Sequence, residues 1–219
     1  INPVIETPSG LVAGQLKESK QEGILQYINA IRVAGGLPKF ETNDRINEVA
    51  QYKSTLVSYR KVKLGLDIAH YFDKPEGVLD SFYDTAMGRK DGVYDVGGYA
   101  ENIATTNENI RWQEMVSAIQ LLIDDSTNDS GWDTFGHRLA LLSSKHKYIG
   151  FGISPYVAVN EFNSSNTTYT DCAEAWPSKG VTFLETLLAT KFAWTVKFVD
   201  KYTVQKDKTT ATIKCLNTG

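Results

Sequence analysis

An α+β fold built around an antiparallel sheet is predicted for this 219-residue chain. Three observations predict it. Apolar residues recur at helical spacing through the first half, period-two segments gather after residue 148, and the two kinds do not alternate as β–α–β units. Helices followed by a meander argue for α+β or an α–β–α sandwich, and against a doubly wound sheet.

The first helix is expected over residues 15–33, where Ile24, Leu25, Ile28, Ile31 and Val33 form the apolar positions. Gly35-Gly36 ends it and Pro38 prevents its resumption. Asn43 is a good N-cap for a second helix through Ile46, Val49, Ala50, Tyr52, Leu56 and Val57. Residues 65–98 read as a loop with a short helix near Val78-Leu79 and Phe82-Tyr83, outside the core. A third helix runs from about Asn109 through Trp112, Met115, Ile119 and Ile123 to Asp124-Asp125, and a helical turn carries His137 and Leu141-Leu142. Strands are expected at 148–153 and 156–162, joined at Ser154-Pro155, and again at 167–176. Beyond Trp176-Pro177-Ser178-Lys179-Gly180, residues 192–198 and 210–215 alternate at period two. This divides the chain into an arm at 1–14, a domain at 15–176 and a β-rich extension at 177–219.

The bulk composition removes several classes of function. A net charge of −3 with interspersed lysines and acids lacks the basic footprint of a nucleic-acid binder. No apolar run approaches the ~20 residues that a membrane helix needs. Residues 1–10 lack signal-peptide grammar, which leaves a cytosolic protein or the mature form of an exported one. The two cysteines, Cys172 and Cys215, are read either as one disulfide in an oxidising compartment or as two separate thiols.

Chemistry concentrates around two of the three histidines. His70 lies in Asp67-Ile68-Ala69-His70-Tyr71, followed later by Gly98-Tyr99-Ala100-Glu101-Asn102-Ile103-Ala104. His137 lies in Gly136-His137-Arg138, after Asp124-Asp125. Imidazole nitrogens with carboxylates can hold a divalent ion or run acid–base chemistry. Glu101, among apolar neighbours, must be paired or have a raised pKa. Asn102 reads as a bridge between backbone groups and Arg138 as an anchor for a helix or an acid. His146 reads as part of a solvated turn, Trp112 as core and Trp132 as a loop cap. No Gly-x-Ser-x-Gly, Cys–His pair or phosphate loop is present.

Taken in order, these motifs resemble the CAP superfamily (cysteine-rich secretory proteins, antigen 5 and pathogenesis-related 1), in particular its bacterial SCP-like branch. Tyr27 to Pro38 is similar to the family's His-Asn-x-x-Arg-x-x-x-Gly-Leu opening, with Ile28 in place of the usual histidine. Asn43 to Gln51, the His70 segment, Glu101 to Ala104, and Gly136-His137-Arg138 with the later Ile149-Gly150-Phe151-Gly152 follow in family order over roughly residues 15–176. The resemblance implies a three-layer α–β–α sandwich and an extracellular or cell-surface setting with a signal peptide already removed. It also implies a cleft tetrad of His70, Glu101, His137 and a fourth acid. The family has a glutamate there, and the alignment gives Asp125, one methylene shorter, with Asp124 as the neighbouring alternative. Glu114 lies about 16 Å away along a helix axis, too far to share the site.

Two functions follow from the resemblance. One is a binding module whose tetrad holds a divalent metal (zinc, magnesium or calcium) or a small ligand, with a small molecule, lipid or surface protein as partner. The other is a metal-dependent hydrolase, peptidase-like, using the same tetrad. Binding is favoured, because the sequence identifies neither an oxyanion donor nor a substrate groove.

Overall fold

The computed structural model describes residues 6–7, 10–95, 101–105, 112–125, 135–164, 173–177, 195–198, 205, 207–210 and 212. They form mixed helix and antiparallel sheet, an α+β arrangement. After a short pair, β1 (Glu6–Thr7) and β2 (Gly10–Leu11), helix α1 spans Glu18–Ala34 and buries Ile24, Ile28 and Ile31. It stops at Gly35-Gly36, where Gly36 takes a φ of 71°. Asn29 bonds both backbone groups of Phe40, folding the following segment back onto the helix. Fully buried Arg32 donates to the carbonyls of Pro38, Leu141 and Ser143, with its guanidinium 3.7 Å from the Phe40 ring centroid.

Helix α2 (Asp44–Lys63) begins as expected, with Asn43 Oδ1 accepting from the Ile46 N–H at 3.0 Å. Over residues 65–98 the expected short helix is α3 (Asp80–Ala86), followed by a hairpin of β3 (Arg89–Lys90) and β4 (Val93–Tyr94). The expectation that this stretch stays out of the core is overturned. Val78, Phe82, Ala86 and Met87 are buried in a cluster with Ala13 and Leu56, because the outer side of α2 carries apolar surface that needs cover.

The main sheet has the order β5-β7-β6, all antiparallel, from β5 (Glu101–Thr105), β6 (His146–Ser154) and β7 (Val157–Ser164). β5 was not anticipated; at five residues, with polar ends, it shows no period that outweighs a loop reading. Helices α4 (Trp112–Asp124) and α5 (Gly136–Leu141) lie between β5 and β6 in sequence. One face of the sheet meets α2: Ile103, Val157 and Val159 cluster with Val57. On the other face Ala104, Ala158, Phe162, Ile149, Phe151 and Ile153 join residues of α1 and α4 in the largest cluster. Gly150 and Gly152 let α2 come close to β6: a Cβ at residue 152 would lie 1.9 Å from the Ala50 carbonyl oxygen.

A second small sheet pairs β8 (Ala173–Trp176) with β9 (Thr195–Phe198). The boundary drawn at 176/177 thus falls between paired strands, with Trp176 buried in the largest cluster. Of the strand expected at 210–215, Thr210 and Thr212 are described and lie outside any strand; Cys172, Cys215 and Trp132 fall outside the described residues, as does the side chain of Trp112. Among the described residues no helix is long and apolar enough to cross a membrane.

His146 departs from the solvated turn expected for it. It opens β6, and its ring stacks on Phe162 at 5.1 Å between centroids. Burial, then the positive charge of Arg32, push its pKa down to about 4, with Glu174 opposing. Because the folded state holds this imidazole neutral while the unfolded chain protonates it near 6.5, its contribution is intact above pH 6.5 and is lost as pH falls towards 4. The expected cost of acidification across that window is about 2 kcal/mol, discounted for the ring's partial exposure. Urea unfolding at several pH values checks it: His146→Phe should flatten the slope between the two limits, and an unchanged slope would show that other groups set it.

Candidate functional site

Two histidine–carboxylate pairs define the site. His70, in the segment after α2, places Nδ1 2.9 Å from Glu101 Oε1 at the start of β5. His137, at the second position of α5, places Nδ1 2.8 Å from Asp125 Oδ1. The acids are sunk and the imidazoles reach outwards: side-chain exposures are 5% for Glu101 and 1% for Asp125, against 44% for His70 and 24% for His137. A carboxylate on Nδ1 selects the tautomer with hydrogen on Nδ1 and the lone pair on Nε2.

Asp125 follows the last residue of α4 with a φ of 49°, a left-handed conformation that aspartate tolerates better than most side chains. Its Oδ2 accepts from the backbone N–H groups of His137 and Arg138 while Oδ1 meets the ring. One carboxylate therefore satisfies N–H groups at the start of α5 and orients that helix's histidine. Of the two neighbouring acids, Asp125 is bonded to His137 through both its ring and its backbone N–H. Arg138 is the anchor expected of it: buried, it donates to the carbonyls of Ile123 and Asp124 and to Thr195 Oγ1. Asn102 was expected to bridge backbone groups; its Nδ2 donates to one of them, the His137 carbonyl, at 3.0 Å.

The Glu101 end contains two residues that the motif reading missed. Lys53, buried on α2, donates from Nζ to the His70 carbonyl oxygen at 2.5 Å, lies 3.2 Å from Glu101 Oε1 and 3.4 Å from Met87 Sδ. Glu161 is the cross-strand neighbour of Glu101, buried, with its carboxyl hydrogen-bonded to that of Glu101. Burial is the largest influence on Glu101 and raises its pKa. The hydrogen bond from His70, the Lys53 charge and the Glu161 hydrogen bond together outweigh it, holding the carboxyl below its ordinary value. A signal for both was present: Lys53 occupies the apolar stripe Ile46, Val49, Ala50, Val57, and Glu161 continues the inward alternation Val157, Val159. A charge at a core position calls for a partner.

His70, His137 and Asp125 line one cleft of about 480 Å³ together with Ile68, Ala69, Ile103, Ala104, Thr105, Leu121 and Leu122. Glu101 touches that cleft through His70; its own side chain lines an adjoining cavity of about 420 Å³ with Lys53, Tyr71, Tyr83, Arg89 and Tyr94. Among the described residues, no three His, Cys, Asp or Glu side chains are gathered as a ready ion site.

No family model and no curated protein matches the chain. Among solved structures it is similar to the 1.5 Å crystal structure of an extracellular protein containing a SCP domain from Bacillus anthracis str. Ames, at 20% identity and a TM-score of 0.40. The similarity covers 73% of this chain and 48% of that one, so the chain spans about half the length of that protein.

Proposed function

We propose that the chain is an extracellular or cell-surface binding module of CAP type, with that family's three-layer α–β–α sandwich. Its cleft takes a divalent cation, or a small ligand carrying one, through His70 and His137. The observation that carries the reading is the duplicated arrangement in which each cleft imidazole is backed at Nδ1 by a buried carboxylate. Such backing fixes the ring and makes Nε2 a better donor. In this reading Glu101 and Asp125 orient the ligands and do not themselves bind the ion. The remaining coordination positions then fall to water or to the ligand, as an open site requires and a closed structural zinc site does not. Nitrogen donors favour zinc over magnesium or calcium.

Calorimetric zinc titration of the full chain tests this. Saturable binding is expected, lost in the double variant His70→Ala/His137→Ala and weakened about 10- to 100-fold by Glu101→Gln or Asp125→Asn. Affinity should fall as the solution is taken from about pH 7.5 to about pH 5, because a protonated imidazole cannot ligate. Zinc affinity equal in the double variant and the parent chain would remove the histidines from the account.

A further inference from the structure

The direction in which the cleft runs follows from which β5 residues line it. Ile103, Ala104 and Thr105 are consecutive, and consecutive strand residues point to opposite faces. Ile103 packs among the residues that meet α2, and Ala104 among those that meet α1 and α4. A cavity lined by all three therefore lies along the strand's edge and not on either face. Its walls agree with this. Ile68 belongs to the α2-side cluster and Leu122 to the α4-side cluster.

That edge is open. β5 is at the end of the sheet order, paired with β7 on one side. No other backbone group among the described residues bonds to residues 101–105. Every second residue of β5 thus turns its N–H and C=O into the cleft, and an antiparallel partner on one side satisfies only half of a strand's backbone groups. An edge row of donors and acceptors is complementary to extended polypeptide backbone.

We propose that the cleft binds an extended peptide segment as an added strand on β5. This rests on the reading of the cleft as the functional site and names the class of its partner. The added backbone pairs with Ile103 to Thr105. Its side chains alternate between the wall carrying Ile68 and His70 and the wall carrying Leu121, Leu122 and His137. Leu121, 54% exposed on α4, is an apolar contact for such a side chain. The two imidazoles then lie on opposite walls of the groove, where they can read polar side chains of the peptide or share an ion with it.

The test uses the full chain and a pool of capped synthetic peptides of alternating apolar and polar sequence. Each is made in three forms: unmodified, N-methylated at amides along one edge, and N-methylated along the other. Binding is read by fluorescence anisotropy. The expected result is that some members bind, that methylating only one of the two edges weakens them about tenfold or more, and that Leu121→Gln weakens them while zinc binding persists. Hydrogen exchange at the cleft-facing amides of residues 103–105 should slow on binding. Peptide binding that ignores both N-methylation patterns, or leaves exchange in β5 unchanged, overturns the added strand. No peptide binding alongside histidine-dependent zinc binding also overturns it and leaves the cation reading standing. Loss of both signals in a chain shown to be folded by its melting transition overturns both.

Discussion

Replacing Gly152 with alanine is expected to cost about 3–5 kcal/mol, because the new Cβ has no side chain to push aside. It would lie 1.9 Å from the Ala50 carbonyl oxygen, 2.1 Å from its carbon and 2.5 Å from the Gln51 nitrogen, all backbone atoms inside α2. Relief requires moving the helix off the sheet, and with it the buried clusters that hold Val57 against Ile103, Val157 and Val159. Gly152 has no positive φ, so the constraint is one of space and not of backbone conformation. A fall in Tm of about 10 °C or more is the expected reading. Gly23→Ala supplies the opposite control: nothing lies within 4 Å of its Cβ position inside α1, and the change should stabilise by about 0.5–1 kcal/mol. If both variants melt with the parent chain, the close approach of α2 to β6 is wrong.

Arg138→Leu is the second large effect, at about 3–4 kcal/mol. The guanidinium is fully buried and donates to the Ile123 and Asp124 carbonyls and to Thr195 Oγ1, so its removal leaves buried acceptors unsatisfied. Burial lowers its pKa, against the opposing pull of Asp125 and Asp124, but a guanidinium remains charged throughout the usable range. The consequence reaches the site, because the carbonyls it holds immediately precede Asp125. The expected signature is a change at His137 from a single Nδ1–H tautomer to a mixture, read from its imidazole nitrogen shifts. Arg138→Lys should restore little, since a point charge cannot reach carbonyls in two directions. A variant that is destabilised yet keeps the His137 tautomer unmixed would confine Arg138 to a structural role.

The sequence was most legible where a local rule decides the structure. Asn43 starts α2 because an Asn side chain can accept the Ile46 N–H, and Gly36 follows the end of α1 with the positive φ that glycine allows. The β6–β7 hairpin also follows from period-two alternation, with its turn at Pro155-Tyr156. β5 was not legible, because five residues with polar ends carry no period of their own and are strand only through pairing with β7. The two acid–histidine pairs were visible as motifs. Their pairing depends on chain crossings: Glu101 reaches His70 across 31 residues and Asp125 reaches His137 across 12. Lys53 and Glu161 were missed because a motif search asks which residues recur, whereas these two are informative for being charged where the pattern demands carbon. His146 was misread because its polar neighbours Lys145 and Lys147 suggest a turn, while its own side chain stacks on Phe162.

The geometry at Asp125 dictates what can stand there. Both carboxylate oxygens accept, one from an imidazole and the other from two backbone amides. An asparagine brings an acceptor on one side and a donor on the other: with its oxygen on the two amides its NH2 must donate to Nδ1 of the ring, which forces the hydrogen onto Nε2, and in the opposite orientation an NH2 group would face two N–H groups. A glutamate would meet a different obstacle: the backbone at this position has already turned into the left-handed region, which a longer side chain occupies less readily. The short side chain of Asp125 is thus matched by the turn of the main chain. Reach has been transferred from side chain to backbone, and residue 125 is left with a single-letter vocabulary.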